Sequence, residues 1–359
     1  MIPLTRLLQG ESTIQRVFTL NDIFGQDTAI DMLRRAFAAD RLPHAMLFAG
    51  PRGVGKATTA RALAAAFLCE KPEQKHALPC GECESCRVMA ADNHPDFHVV
   101  YRQLIRLDKE SSKARDLSID VVRDYVVHPA SLKPVMNNGK VIVVEEAELM
   151  NAQAQNAMLK TLEEPSGRAL IILLTDSPGQ LLPTIRSRCQ IVRFASLDEQ
   201  LVERELSKKR IAPADAKEAA MFSEGSLGLA SQWLADGIVD RARELVERID
   251  TLLARKPLGG DLDAWFKKSA ELYAEAELKR DDLASKDQAT REGLSLYLKL
   301  AANYLRRKLA ILADPEEMER CCAAIDALVR AEGNLDGNVN IPLTFQQLTV
   351  ALERELMRG

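Results

Sequence analysis

The apolar run Ala45-Met46-Leu47-Phe48-Ala49 stops at Gly50-Pro51-Arg52-Gly53-Val54-Gly55-Lys56-Ala57, and from Ala57 the chain continues as ATTARALAAAFL, with no glycine or proline. The first run suits a buried strand and the alanine- and leucine-rich stretch a helix. Strand, glycine loop and helix in that order is the context of a phosphate-binding loop. Its glycines let backbone N–H groups approach an anion, and the helix N-terminus adds its dipole. The loop breaks at its last position. A working Gly-x-x-x-x-Gly-Lys-Ser/Thr loop carries a hydroxyl directly after the lysine, to hold Mg²⁺ against the phosphates, and here that residue is Ala57. Each helical step turns about 100°, so neither Thr58 nor Thr59 replaces the lost hydroxyl, although Thr58 is placed to contact an inner phosphate. Gly50, Gly53, Gly55 and Lys56 are the candidate phosphate ligands; the alternative is a glycine-rich turn that binds nothing.

Further apolar runs at Phe97–Val100, Val141–Val144, Leu170–Leu174 and Gln190–Phe194 alternate with helical segments, which points to a mainly parallel α/β sheet. Val144 is followed by Glu145-Glu146, the form of a second nucleotide element. In an active ATPase the first acid is normally an aspartate that helps hold Mg²⁺, and the second polarises the attacking water. Glu145 stands in the aspartate's place, one methylene longer, and Glu146 where the water-polarising carboxylate belongs. Acids favoured by a helix dipole at a strand-to-helix junction are the plainer explanation, weakened by the phosphate loop upstream. Thr175, directly after Leu170–Leu174, joins the candidate nucleotide set.

Met150, Ala154, Ala157, Met158 and Leu162 recur at helical spacing and are expected to face the sheet. That helix is expected to stop near Glu164, because Pro165 disfavours helical geometry in the residue before it. From about Ala195 only helical patterns occur, with expected interruptions at Gly225-Ser226, Asp236-Gly237, Pro257-Leu258-Gly259-Gly260 and Glu332-Gly333-Asn334.

Cys69, Cys80, Cys83 and Cys86 form C-x₁₀-C-x₂-C-x₂-C, whereas Cys189, Cys321 and Cys322 follow no such pattern. Clustering of this kind in a reducing compartment favours a metal over disulfides, and four thiolates suit a closed tetrahedral structural Zn²⁺ site. An iron–sulfur centre is the runner-up, but its spacing asks for a further cysteine where Ala90 stands. Gly81, Glu82, Glu84 and Ser85 make the stretch too polar for a set of unrelated core thiols. His76 and His94 are near enough to be spare ligands.

At 359 residues the chain exceeds one typical core, so two or three domains are expected. A net charge of -4 leaves no whole-chain attraction to nucleic acid, though a local basic face remains compatible with it. No run approaches the roughly 18 apolar residues of a membrane span. The opening MIPLTRLLQGESTIQRVF has no long apolar segment or cleavage site, so the cytoplasm is the expected location.

Ile185-Arg186-Ser187-Arg188-Cys189 lies between two apolar strands, where an arginine taken alone is a solvated or salt-bridged residue. Its context changes that weighting. Phe24-Gly25-Gln26, Arg41-Leu42-Pro43-His44-Ala45, the phosphate loop, and the four-cysteine insertion with Asn93-His94-Pro95-Asp96 behind it belong together. With Asn156-Ala157-Met158-Leu159-Lys160-Thr161-Leu162-Glu163-Glu164-Pro165 and Ser187-Arg188-Cys189, they resemble the AAA+ subunits of bacterial sliding-clamp loaders. The resemblance covers about residues 22–195; beyond that it rests on helical layout and on Asn338-Val339-Asn340, and residues 1–20 match nothing.

The resemblance implies a RecA-like α/β AAA+ P-loop domain over 1–195 with a zinc module inserted at about 69–95. A small helical lid over 196–238 and an all-α collar domain for oligomerisation over 239–359 complete the implied chain. Such complexes contain tau/gamma motor subunits and non-catalytic partners. Ala57, Glu145 and Gly228, which falls where motor subunits carry a nucleotide-sensing lid arginine, place this chain with the partners, as does the lack of a long tau-like C-terminal extension. It is expected to show little or no ATPase alone, with nucleotide binding weak or absent and the Mg²⁺ site impaired. The implied partners are tau/gamma and delta subunits, with the sliding clamp and primer-template DNA reached through the polymerase holoenzyme. Arg188, the Ser-Arg-Cys arginine, is implied to act in trans on a neighbour's ATP. Two other functions stay open: an active loader ATPase with degenerate signatures, against which Ala57 and Gly228 count, and a zinc-containing AAA+ DNA-binding protein, against which the neutral balance of charge counts.

Overall fold

A computed structural model of the chain describes residues 17–109, 114–136, 138–258, 262–336 and 341–357. They form two compact units that divide between Ala230 and Ser231.

In the first unit α1 (Asp27–Ala38) leads to β1 (Ala45–Ala49), all of it buried, and the glycine loop then delivers the chain into α2 (Lys56–Leu68). Ala60, Ala62, Ala64, Ala65 and Ala66 are all buried, because side chains this small let α2 lie close against the sheet. After α3 (Glu84–Ala90) come β2 (Phe97–Val100), the single turn α4 (Ile105–Asp108), and a continuous helix in which α5 (Ile119–Val122) and α6 (His128–Ser131) flank a π-helical stretch at Arg123–Val127. The chain then runs through β3 (Lys140–Val144), α7 (Ala152–Glu163), β4 (Ala169–Thr175), α8 (Pro183–Arg186) and β5 (Gln190–Arg193).

Each apolar run in the sequence has become a strand of one parallel five-stranded sheet, in the order β2-β3-β4-β1-β5. β1, β3 and β4 are buried along their whole length, as expected of inner parallel strands covered on both faces. β4 lies between β1 and β3, and Ala49 is level with Thr175. The glycine loop, Thr175 and the Glu145-Glu146 pair therefore emerge together at the carboxyl ends of adjacent strands, where open α/β sheets form their ligand crevice.

Helix α7 is capped by the Asn151 side chain, which accepts from the Ala154 N–H at 2.9 Å. It ends at Glu163, and Glu164 leaves helical geometry with φ -140°, the effect of Pro165. Two details differ from the periodic pattern. Met150 is buried but precedes the helix, and Gln155 takes an interior position that Ala157 only half fills. Gln155 is tolerated there because its amide is used at both ends. Nε2 donates to the Met150 carbonyl at 2.9 Å, and Oε1 accepts from the Leu182 N–H at 2.7 Å.

Beyond β5 the described residues contain helices only. α9 (Glu199–Lys208) and α10 (Pro213–Phe222) pack on each other, and α11 (Leu227–Ala235) starts in this unit. The second unit holds α12 (Ile238–Leu253), α13 (Leu262–Arg280), α14 (Lys286–Leu309), α15 (Pro315–Asp336) and α16 (Ile341–Met357). Its core is built around Trp265, Phe266, Tyr297 and Phe345, whose rings meet at 5.2–5.4 Å. Gly237 with φ 69° interrupts the helices where expected, but Glu332-Gly333-Asn334 does not. That tripeptide lies inside α15. A mid-helix glycine costs about 1 kcal/mol, which the burial of Leu328, Ala331 and Leu335 on the same helix outweighs. Glu332 is also held from α14, by Ser295 Oγ at 3.0 Å and Lys299 Nζ at 3.1 Å. Gly259-Gly260 and Asn338-Val339-Asn340 lie outside the described residues. No described helix is long and apolar enough to cross a membrane.

Candidate functional site

Gly53 and Gly55 hold φ of 74° and 105°, backbone that side-chain-bearing residues rarely adopt. Against this loop rests the first turn of α11. The Gly228 N–H donates to the Gly53 carbonyl at 3.1 Å, and the Ser226 hydroxyl caps the helix by accepting from the Leu229 N–H at 3.1 Å. The fit leaves no spare room: a Cβ on Gly228 would lie 2.8 Å from the Gly53 oxygen, and one on Gly53 would lie 2.2 Å from Ser226 Oγ. Gln26 staples the other side. Its amide donates to the Ala195 carbonyl at 2.8 Å and to the Val54 carbonyl at 3.3 Å, and accepts from the Ala195 N–H at 3.1 Å.

Lys56 turns back on the loop itself, its ammonium donating to the carbonyls of Gly50 and, at 2.6 Å, of Pro51. Burial holds this ammonium below its ordinary range, although Asp176 and Glu148 nearby work the other way. Ala57 is exposed and Thr58 half-buried. The Thr59 hydroxyl is committed to the Gly55 carbonyl at 2.8 Å. Gly50 N–H donates to the Thr175 carbonyl at 3.1 Å, and the Thr175 side chain, itself buried, accepts from the Ser177 N–H at 3.1 Å.

The acidic pair is split between two environments. Burial, then the neighbouring Glu146 charge, pushes the Glu145 carboxyl up to about 7, with Arg52 opposing. Glu146 adopts left-handed geometry, φ 48°, and its carboxylate meets the Nε of buried Arg102 at 3.0 Å. The carboxylate expected to polarise water is thus engaged by an internal cation. Next to it Glu148 is raised to about 7 by burial and by its hydrogen bond with Asp176. Burial is the largest influence on Asp176 and works upward, but Glu148, Ser177, Lys56 and Arg52 together outweigh it and keep the carboxyl below its ordinary range. The nearby charges of Lys56 and Arg52 favour the ionised Asp176.

The four sequence-predicted thiols converge. Sγ atoms of Cys69, Cys80, Cys83 and Cys86 all lie within 4.8 Å of one another, with Cys69–Cys83 and Cys80–Cys86 at 3.9 Å. Tetrahedral coordination at a Zn–S length of about 2.3 Å places sulfurs about 3.8 Å apart, so the donor set fits a single ion. Backbone N–H groups already point at the sulfurs: Cys80 N to Cys69 at 3.2 Å, Cys83 N to Cys80 at 3.4 Å, and Cys86 N to Cys83 at 3.4 Å. Such bonds favour thiolate, and those from Glu82 and Cys83 bring Cys80 down to about 6. The nearby histidines have other work. His76 Nδ1 bonds Glu73 at 2.5 Å. His94 Nδ1 accepts from the Asp96 N–H at 3.1 Å, so its Nε2 carries the proton and donates to Ser85 Oγ at 3.0 Å. Ser85 passes the chain on to the Leu68 carbonyl at 2.8 Å, tying the cysteine module to the end of α2.

Arg188 lies far along the chain from both sites, just after α8. Its Nε donates to Glu163 Oε1 at 2.5 Å, Nη2 contacts the same carboxylate, and Nη1 donates to the Thr184 carbonyl at 3.0 Å. Ser187 Oγ donates to the Thr184 carbonyl at 3.2 Å, and Cys189 is buried, which raises its thiol to about 12.

The sequence matches known proteins. A family model for DNA polymerase III, delta subunit, matches residues 25–198. The chain is 35% identical over 229 residues to DNA polymerase III subunit delta' of Pseudomonas aeruginosa, across 62% of this chain and 65% of that one. It is 29% identical over 231 residues to subunit delta' of Bacillus subtilis, across 64% and 66%. The chain is therefore similar to DNA polymerase III delta-prime subunits. It spans just under two thirds of the length of these curated delta-prime relatives. Subunit tau of Escherichia coli is 33% identical over 229 residues, which is 61% of this chain but 33% of that one.

No role for Arg52, Arg102, Glu148, Asp176 or Glu163 was legible in the sequence, although Arg52 lies in the glycine loop and Glu163 in the Asn156–Pro165 motif. Glu148 lies two residues after Glu146 and Asp176 one after Thr175, and that proximity was the available signal. The pairings of Arg102 and Glu163 gave none, because their partners, Glu146 and Arg188, lie 44 and 25 residues away in the chain.

Proposed function

We propose that the chain is a non-catalytic assembly subunit of a DNA polymerase III clamp loader. It works in the cytoplasm beside tau/gamma motor subunits and a delta subunit, in the ATP-driven placement of the sliding clamp on primer-template DNA. The observation that carries this reading is the backbone contact of Gly228 with Gly53 at 3.1 Å. Where a motor needs a charged side chain reaching from the lid to nucleotide, this chain has a glycine whose Cβ direction runs into the loop's own carbonyl. Ala57 supplies no metal-facing hydroxyl, and Glu146 is paired with Arg102. Phosphoryl transfer is catalysed mostly by positioning and electrostatics, so losing these groups together removes the chain's own turnover. Nucleotide binding through Gly50, Gly53, Gly55, Lys56 and Thr58 is weak or absent.

On this reading the AAA+ domain spans 1–195, the lid 196–238 and the collar 239–359, and Cys69, Cys80, Cys83 and Cys86 hold one structural Zn²⁺. That ion ties the ends of the cysteine module together, and its charge keeps the four sulfurs deprotonated. The part played in ATP hydrolysis falls to Arg188. Its guanidinium reaches a neighbour's ATP and neutralises charge on the transferred phosphoryl group, a contribution of about 10³–10⁵ in rate in other systems. The test is Arg188→Ala in the reconstituted complex, with assembly followed by mass. Folding and assembly are retained while ATP hydrolysis and clamp loading fall. If Arg188→Ala leaves both unchanged and Arg186→Ala abolishes them, the assignment is wrong.

A further inference from the structure

Resting on the reading of Arg188 as a trans-acting finger, we propose that Glu163 is its positioning residue, pre-ordering the guanidinium for an oxyanion on the neighbouring subunit. The guanidinium has five N–H donors in a fixed plane. Nε donates to the Glu163 carboxylate, which Nη2 also meets, and Nη1 donates to the Thr184 carbonyl. These contacts do not exhaust the terminal nitrogens, and their remaining donors are the ones a phosphate oxygen can accept from.

The two holding groups are themselves rigid with respect to each other. Glu163 is the last residue of α7 and Thr184 belongs to α8. Gln155 of α7 bonds the Leu182 N–H at the head of α8 at 2.7 Å, and His44 Nε2 bonds the Leu162 carbonyl at 2.8 Å. A clamp made from two braced helices sets the direction of a long side chain that otherwise spreads over many rotamers.

Fold stability does not account for the carboxylate. Glu163 lies at the C-terminal end of its helix, where the dipole disfavours negative charge. With side chains 46% and 32% exposed, the pair belongs to the class of surface ion pairs that add little to stability. Removing the carboxylate therefore leaves the fold in place and loosens Arg188.

The test uses the complex reconstituted with tau motor subunits, ATP as substrate, and Glu163→Ala, Glu163→Gln, Arg188→Ala and the double variant Glu163→Ala/Arg188→Ala. An exposed pair of this kind corresponds to about a 2- to 5-fold effect. Glu163→Ala lowers kcat by that factor with KM for ATP unchanged, and Glu163→Gln, which keeps an acceptor oxygen for Nε, recovers most of it. In the Arg188→Ala background Glu163→Ala has no further effect. A drop with Arg188→Ala but none with Glu163→Ala overturns this proposal alone, as does an equal drop in both backgrounds or a rise in kcat. Indifference to Arg188→Ala overturns the finger reading and this proposal with it.

Discussion

Gly228→Ala adds one methyl group, and its effect follows from where that methyl would stand. The new Cβ falls 2.8 Å from the Gly53 oxygen, 3.3 Å from its Cα and 3.5 Å from its carbonyl carbon, all backbone atoms of a loop stapled from the other side by Gln26. Neither side yields cheaply, so overpacking costs about 1–3 kcal/mol. If α11 moves away instead, the 3.1 Å bond from Gly228 N–H is lost, at about 1 kcal/mol. Against this, alanine is the better helix former by up to about 1 kcal/mol. The balance is a destabilisation of about 1–2 kcal/mol, which for a unit of this size lowers the thermal midpoint by about 2–8 °C. Gly333→Ala is the control, because a Cβ there meets nothing within 4 Å and the residue lies inside α15. That change stabilises the second unit by about 0.5–1 kcal/mol. Differential scanning calorimetry on the two variants, with urea titration alongside, reads both numbers. If Gly228→Ala raises the midpoint as Gly333→Ala does, α11 does not rest on the loop in solution and the steric argument against a motor role falls with it.

Three further outcomes are expected. The isolated chain releases no phosphate from ATP at rates on the order of 1 s⁻¹, and steady-state turnover at that level would show that Ala57 and the Glu146–Arg102 pair do not disable it. One zinc per chain copurifies and is lost in Cys83→Ser, with the cysteine module unfolding while the α/β sheet persists; elemental analysis that finds iron, or no metal at all, contradicts this. The Glu145 carboxyl sits at about 7 in the folded chain against an ordinary 4.5, so the stability it contributes is complete below 4.5 and lost as pH rises through 7. Glu145→Gln removes that loss, leaving the variant about 3 kcal/mol more stable than the parent at pH 8 and no more stable at pH 4.5; urea midpoints that differ equally at both pH values would refute the buried-acid assignment.

What could be read without coordinates was local. Strands β1 to β5 announced themselves because inner parallel strands need unbroken apolar runs, and the four cysteines because a single ion confines its ligands to short spacings. The end of α7 was legible in Pro165, whose ring acts on the residue before it. Where a local rule met a distant partner, the partner prevailed. Gly333 is a helix breaker by its own backbone entropy, yet α15 runs through it because the leucines around it are buried and α14 holds Glu332. Gln155 reads as polar surface, yet lies inside because two backbone groups from other segments satisfy its amide.

The sequence by itself determined which atoms the chain owns: no hydroxyl at Ala57, a glutamate at 145, no side chain at Gly228, four thiols in C-x₁₀-C-x₂-C-x₂-C, and an arginine between Ser187 and Cys189. Tertiary structure alone decided what those atoms do to one another. It laid Gly228 against Gly53, gave Glu146 to Arg102, and put Glu163 under Arg188. The physical reason is reach. Strand and helix patterns come from forces between neighbours in the chain, whereas a hydrogen bond or ion pair acts over a few ångströms in space, and only the folded sheet brings such distant residues that close.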